Sequence, residues 1–88
     1  MIKILKLLNE LGLKVIQKWH TSSFFGKDID YCDFKHKGKR YVISTCDGKS
    51  YVCTENSKKC ERTIYIGYSF NGLESALKKE LGYDKNTN

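Results

Sequence analysis

Apolar residues recur at helical spacing at the start of the chain. Ile4, Leu5, Leu8 and Leu11 face one way, and Lys3, Lys6 and Glu10 the other. Gly12 follows where a helix stops, because the position after the last turn takes a left-handed backbone that glycine adopts freely. The spacing therefore predicts a helix ending at Gly12 rather than one running on to Trp19. Residues 13–19 alternate as a strand does, with Leu13, Val15, Gln17 and Trp19 on one side. Residues 20–27 read as a polar and aromatic loop.

Two hairpin signals come next. Lys37-Gly38 separates residues 29–36 from 39–46, and Asp47-Gly48 separates that strand from 49–54. Such pairs suit type I′ turns, which need positive φ at both central positions. If both loops hold two residues, Phe34 lies opposite Tyr41, Cys32 opposite Ile43, and Ile43 opposite Val52. Cys32, Phe34, Tyr41, Ile43 and Val52 then form the core face. Tyr31, Asp33, Val42, Ser44, Cys46, Lys49, Tyr51 and Cys53 form the other.

Residues 54–59 are a polar loop. Residues 63–70 read as a strand with Ile64, Ile66, Tyr68 and Phe70 on one side. A closing helix is expected with Asn71 as N-cap and Glu74 completing a capping box. Leu73, Ala76, Leu77 and Leu81 form its buried stripe, and Gly82 stops it. The expected fold is thus α+β: an antiparallel four- to five-stranded meander sheet flanked by an N-terminal and a C-terminal helix. It forms a single domain over residues 1–83, with a frayed tail at 84–88.

Composition narrows the function classes. The 88 residues are 40% hydrophobic and 30% charged, as in soluble globular domains. None of their apolar runs approaches the roughly 18 residues of a membrane span. The first helix lacks the unbroken apolar core and cleavage site of a signal peptide, which points to a cytoplasmic protein with no membrane partner. Net charge is +6, and eight of the basic residues lie between positions 35 and 62 against Asp47, Glu55 and Glu61. That excess suits phosphate or an acidic protein surface. A lysine-rich composition with no such role is the alternative.

Cys32, Cys46, Cys53 and Cys60 include no C-x-x-C pair, and their spacing matches no zinc site. Free buried thiols are the simplest reading. Under oxidising conditions the expected bridge is Cys53–Cys60, across the loop at 54–59. No metal or other cofactor is expected.

Catalytic constellations are thin. Asp28-x-Asp30, after a helix and a strand, resembles the opening of restriction-endonuclease-like nucleases. That resemblance implies a carboxylate and a lysine on the next strand, where Val42-Ile43-Ser44-Thr45-Cys46 supplies neither. Three strands followed by a helix is similar in order to the sheet-in-groove DNA-binding modules of plant transcription factors and integrase arms. Helix, three strands, helix is also the order of a double-stranded-RNA-binding domain. Here, however, Ser69-Phe70-Asn71-Gly72 stands where that family needs basic residues. None of these resemblances transfers a site residue.

What remains is a binding surface. Tyr31 and Tyr51, joined by Tyr65, sit with Lys49 on the second sheet face. Lys35, Lys37 and Arg40 gather near the first turn, and Lys58, Lys59 and Arg62 add charge further on. Aromatics ringed by cations are the ingredients of such a surface. The competing reading has the N-terminal elements covering this face. The expected function is non-catalytic: engagement of nucleic acid or a nucleic-acid-associated protein complex. The alternative is a protein-directed inhibitor or adaptor, such as a phage-encoded anti-defence factor.

Overall fold

A computed structural model describes residues 1–22, 26–56 and 61–83. The element order is α1 (Ile2–Glu10), β1 (Val15–Ser22), β2 (Asp28–His36), β3 (Lys39–Cys46), β4 (Ser50–Asn56), β5 (Glu61–Gly67) and α2 (Phe70–Leu81). The five strands form one antiparallel meander in sequence order. The expected α+β fold is the one observed.

Both helices lie on the same face of the sheet. Ile4, Leu7 and Leu8 of α1 and Leu73, Leu77 and Leu81 of α2 share one core with Cys32, Phe34, Tyr41, Ile43, Tyr51 and Cys53. Each helix ends by the same device. In α1, Gly12 N–H and Leu13 N–H donate to the Asn9 and Leu8 carbonyls; in α2, Gly82 and Tyr83 donate to Lys79 and Lys78. These are paired closures around a left-handed glycine, at φ +74° and +83°. The repeated Glu-Leu-Gly triplet is thus a shared helix stop.

The β2–β3 hairpin follows expectation, with His36 opposite Lys39 and positive φ at Lys37 and Gly38. The β3–β4 hairpin does not. Its loop holds three residues, 47–49, so Cys46 pairs with Ser50 and Ile43 with Cys53 rather than Val52. Lys49 N–H still closes on the Cys46 carbonyl at 2.9 Å. Asp47 is meanwhile tied to Asp28 through both its backbone N–H and its carboxylate. The β4 ladder therefore starts one residue late. A one-residue slip turns over every side chain of a strand, which brings Tyr51 and Cys53 into the core and turns Val52 outward.

Two further expectations fail for a related reason. A bulge at Ile16 places Val15 opposite Phe34 but Gln17 opposite Asp33, so Gln17 and Trp19 face away from Val15. A second irregularity sets Thr54 opposite Thr63 and Cys53 opposite Tyr65, making Ile64 the extra residue. Ile64 packs against the core while Ile66 stands 73% exposed. Strand β1 also runs on to Ser22, into the stretch expected to be loop. The cap of α2 is Ser69 instead of Asn71, its hydroxyl accepting from Gly72 N–H at 3.0 Å. Glu74 pairs instead with Lys78 one turn later, at 2.8 Å.

Candidate functional site

With both helices on one side, the other face of the sheet is bare. Its central row runs across all five strands as Trp19, Tyr31, Ser44, Val52 and Ile66. One neighbouring row holds Gln17, Asp33, Val42, Thr54 and Thr63, and the other holds Thr21, Ile29, Cys46 and Ser50. Seven of these side chains are apolar: Trp19, Ile29, Tyr31, Val42, Cys46, Val52 and Ile66. None belongs to or packs against the core, and none is fully buried. The Trp19 and Tyr31 rings stack at 5.0 Å, 6° from parallel.

The one buried residue of this face is Asp33. Arg40 covers it, with Nε and Nη2 at 2.8 and 2.6 Å from the same carboxylate oxygen. Arg40 is thereby committed to an internal partner. Lys35 is exposed beside it, Lys37 sits at the tip of the β2–β3 turn, and Lys39 opens β3. None of Lys35, Lys37 or Lys39 has an ion pair among the described residues.

The other expected binding residues are dispersed. Lys49 lies in the β3–β4 loop at the opposite end of the sheet. Tyr51 is in the core, edge-on to Phe70 at 5.8 Å. Tyr65 is on the helix side, where its hydroxyl donates to the Ser69 carbonyl and accepts from Ser69 N–H. Arg62 is on the helix side too, bridging Glu55 at 2.6 Å and Glu80. Those two carboxylates, Glu80 first, raise the Arg62 pKa, and Arg62 in turn lowers that of Glu80. Lys58 and Lys59 lie outside the described residues. Trp19, Val52 and Ile66 were not expected on this face; only the Ile16 bulge and the three-residue loop put the first two there.

Among the described residues, the titratable groups elsewhere assemble no catalytic set. His20 bonds Asp30 at 2.8 Å through Nδ1 and meets Asp28 at 3.5 Å. The Asp30 hydrogen bond raises its pKa above 6.5. The nearby Ser22 hydroxyl bonds Asp28 and not the imidazole, so His20 does not activate it as a nucleophile. Among the described residues no three side chains are grouped to hold a metal ion, and no helix is long and apolar enough to cross a membrane. No family model, curated protein or solved structure matches this chain. The geometry alone carries the functional reading.

The thiols divide by face. Burial pushes Cys32 up to about 11 and Cys53 up to about 12, so both stay protonated and inert. Cys53 is a free thiol opposite Tyr65. Cys60, its expected bridge partner, lies outside the described residues. Cys46 is half-exposed at the end of β3 on the bare face. Limited alkylation of the native protein at pH 8, mapped by peptide mass, is expected to modify Cys46 well before Cys32 or Cys53. Early modification of Cys53 would contradict the three-residue loop.

Proposed function

We propose that this chain is a non-catalytic binding protein whose bare sheet face docks on an acidic partner protein. The observation behind this is the run of seven apolar side chains on a face that neither helix covers. Soluble monomers seldom leave a contiguous apolar patch of that kind without an interaction to fill it. Five strands about 4.8 Å apart and seven residues at about 3.4 Å give a footprint on the order of 600 Å² in projection. That approaches the roughly 800 Å² each partner contributes to a stable interface.

The charges suit a protein partner better than a nucleic acid. On the face itself Lys35 and Arg40 are offset by Asp33 and Glu61, so its centre is apolar and nearly neutral. The unpaired Lys35 lies at one end with Lys37 at the tip of the adjoining turn, as a polar rim does around an interface core. With a net charge of +6 a second copy would be repelled, whereas an acidic partner is drawn in. Bulges at Ile16 and Ile64 interrupt both edge strands. They obstruct strand addition there and leave the face as the place to dock.

The Trp19–Tyr31 stack on the same face as the unpaired Lys35 supports a second reading, binding of single-stranded nucleic acid. Bases stack on such rings and phosphates meet such ammoniums.

Capture from nuclease-treated native-host extract tests the choice. The double variant Val52→Lys/Ile66→Lys changes two outward side chains and is expected to retain the fold by circular dichroism. It should lose capture about tenfold or more, as a hot-spot centre does. Lys35→Glu/Lys37→Glu should weaken capture further out on the rim. Arg40 is left intact because a carboxylate there would face Asp33. Unchanged capture by the Val52/Ile66 variant would refute the face. Capture that vanishes with nuclease, or falls steeply with salt, would assign the face to nucleic acid.

A further inference from the structure

We propose that the cavity between the β2–β3 turn and the C-terminal end of α2 is an oxyanion site that takes a phosphate group. It lies on the helix side of the sheet and stands without the docking proposal above. The cavity measures about 230 Å³. Lys37 reaches it from the turn, Lys39 from the start of β3 and Lys79 from the last turn of α2. Lysines from three separate elements thus line one space, and none of the three is ion-paired among the described residues.

The single carboxylate in the wall is already engaged. Glu80 is held by Arg62 and accepts from the Tyr41 hydroxyl at 3.5 Å. Counting Arg62 and its other partner Glu55 with the wall leaves a surplus of two positive charges. The opposing field is the partial negative charge at the C-terminus of α2. Its Lys78 and Lys79 carbonyls are already occupied by Tyr83 and Gly82 N–H, and a half charge does not cancel the surplus.

His36 forms part of the same wall, beside the Tyr83 ring at 6.0 Å. Ammonium groups are point donors that bind phosphate from separate directions, whereas the planar carboxylate is better matched by the arginine fork. Free phosphate and the phosphate of a nucleotide share this chemistry.

The test is a titration of the folded chain with inorganic phosphate, followed by amide and imidazole NMR at ionic strength held constant with sodium chloride. A parallel arm uses adenosine monophosphate. Saturable shifts are expected at His36, Lys37, Lys39 and Lys79. Lys39→Ala/Lys79→Ala should weaken binding about tenfold or more, the scale of losing charge-assisted hydrogen bonds. Lys14→Ala/Lys49→Ala removes the same charge elsewhere and should leave the affinity unchanged. Equal affinity in the two arms identifies the free anion as the ligand; tighter binding of the monophosphate identifies a nucleotide. Shifts that sodium chloride alone reproduces, or that the Lys39/Lys79 variant retains, would overturn the site.

Discussion

Phe34→Ala is expected to cost about 3–5 kcal/mol, and Ile43→Ala about 2–4 kcal/mol, the range for large-to-small changes in a packed core. Phe34 and Ile43 are fully buried beneath the helices, and the Phe34 ring stacks on Tyr41 at 5.2 Å. A domain of this size has on the order of 5–15 kcal/mol in hand, so Phe34→Ala puts the fold near its limit. Val52→Ala should cost under about 1 kcal/mol, and Ser44→Ala under about 0.5 kcal/mol, as outward substitutions do. Denaturant melts of the four variants decide the matter. A Val52→Ala loss larger than that of Ile43→Ala would restore the two-residue loop and turn β4 over.

Arg40→Ala should cost about 2–3 kcal/mol, because it strands a buried carboxylate. The Asp33 side chain is 3% exposed, and its Oδ1 already lacks a partner. Removing Arg40 would leave both oxygens bare. The figure sits below the 3–5 kcal/mol of a fully buried pair, since Arg40 is 44% exposed and water enters in its place. Asp33→Ala/Arg40→Ala should be milder than Arg40→Ala alone, as the stranded charge is gone. A double-mutant cycle measures this directly. Additive losses would show that the two side chains do not depend on each other.

The fold was legible wherever local chemistry allows one answer. Lys37-Gly38 admits a two-residue turn, and Gly12 and Gly82 stop their helices because a left-handed residue is needed there. The Leu73, Leu77 and Leu81 stripe survives the choice between Ser69 and Asn71 as cap, since it depends only on helical period. Asp47-Gly48 announced a turn but not its length. Positive φ at both residues suits two loop residues or three, and the tie between Asp47 and Asp28 comes from a strand far away in sequence. The bulges at Ile16 and Ile64 left no mark, because each falls within an apolar alternation that reads as continuous.

The binding surface suffered from the same three slips. Tyr31 and Lys35 were placed correctly because β2 and β3 hold their register. Tyr51 went to the core, and Val52 and Trp19 took the outer face, each by a single-residue offset. Arg62 and Arg40 read as free cations. Their carboxylate partners lie 7 and 18 residues away in the one case and 7 in the other, and only the folded sheet brings them together.

The strictly sequential strand order bears on how the chain reaches this structure. Every strand pairs with its immediate predecessor, so each addition closes a short loop, and loop closure costs less the fewer residues it spans. Topologies built from such near contacts fold faster than those that pair distant segments. The β2–β3 hairpin, with its two-residue turn, is the natural starting point, and strands can be laid down outward from it. The 88 residues contain no proline, so the tens-of-seconds isomerisation that slows many domains has no source here. A chain assembled this way spends little time with its bare apolar face beside unpaired strand edges, the combination from which aggregates begin.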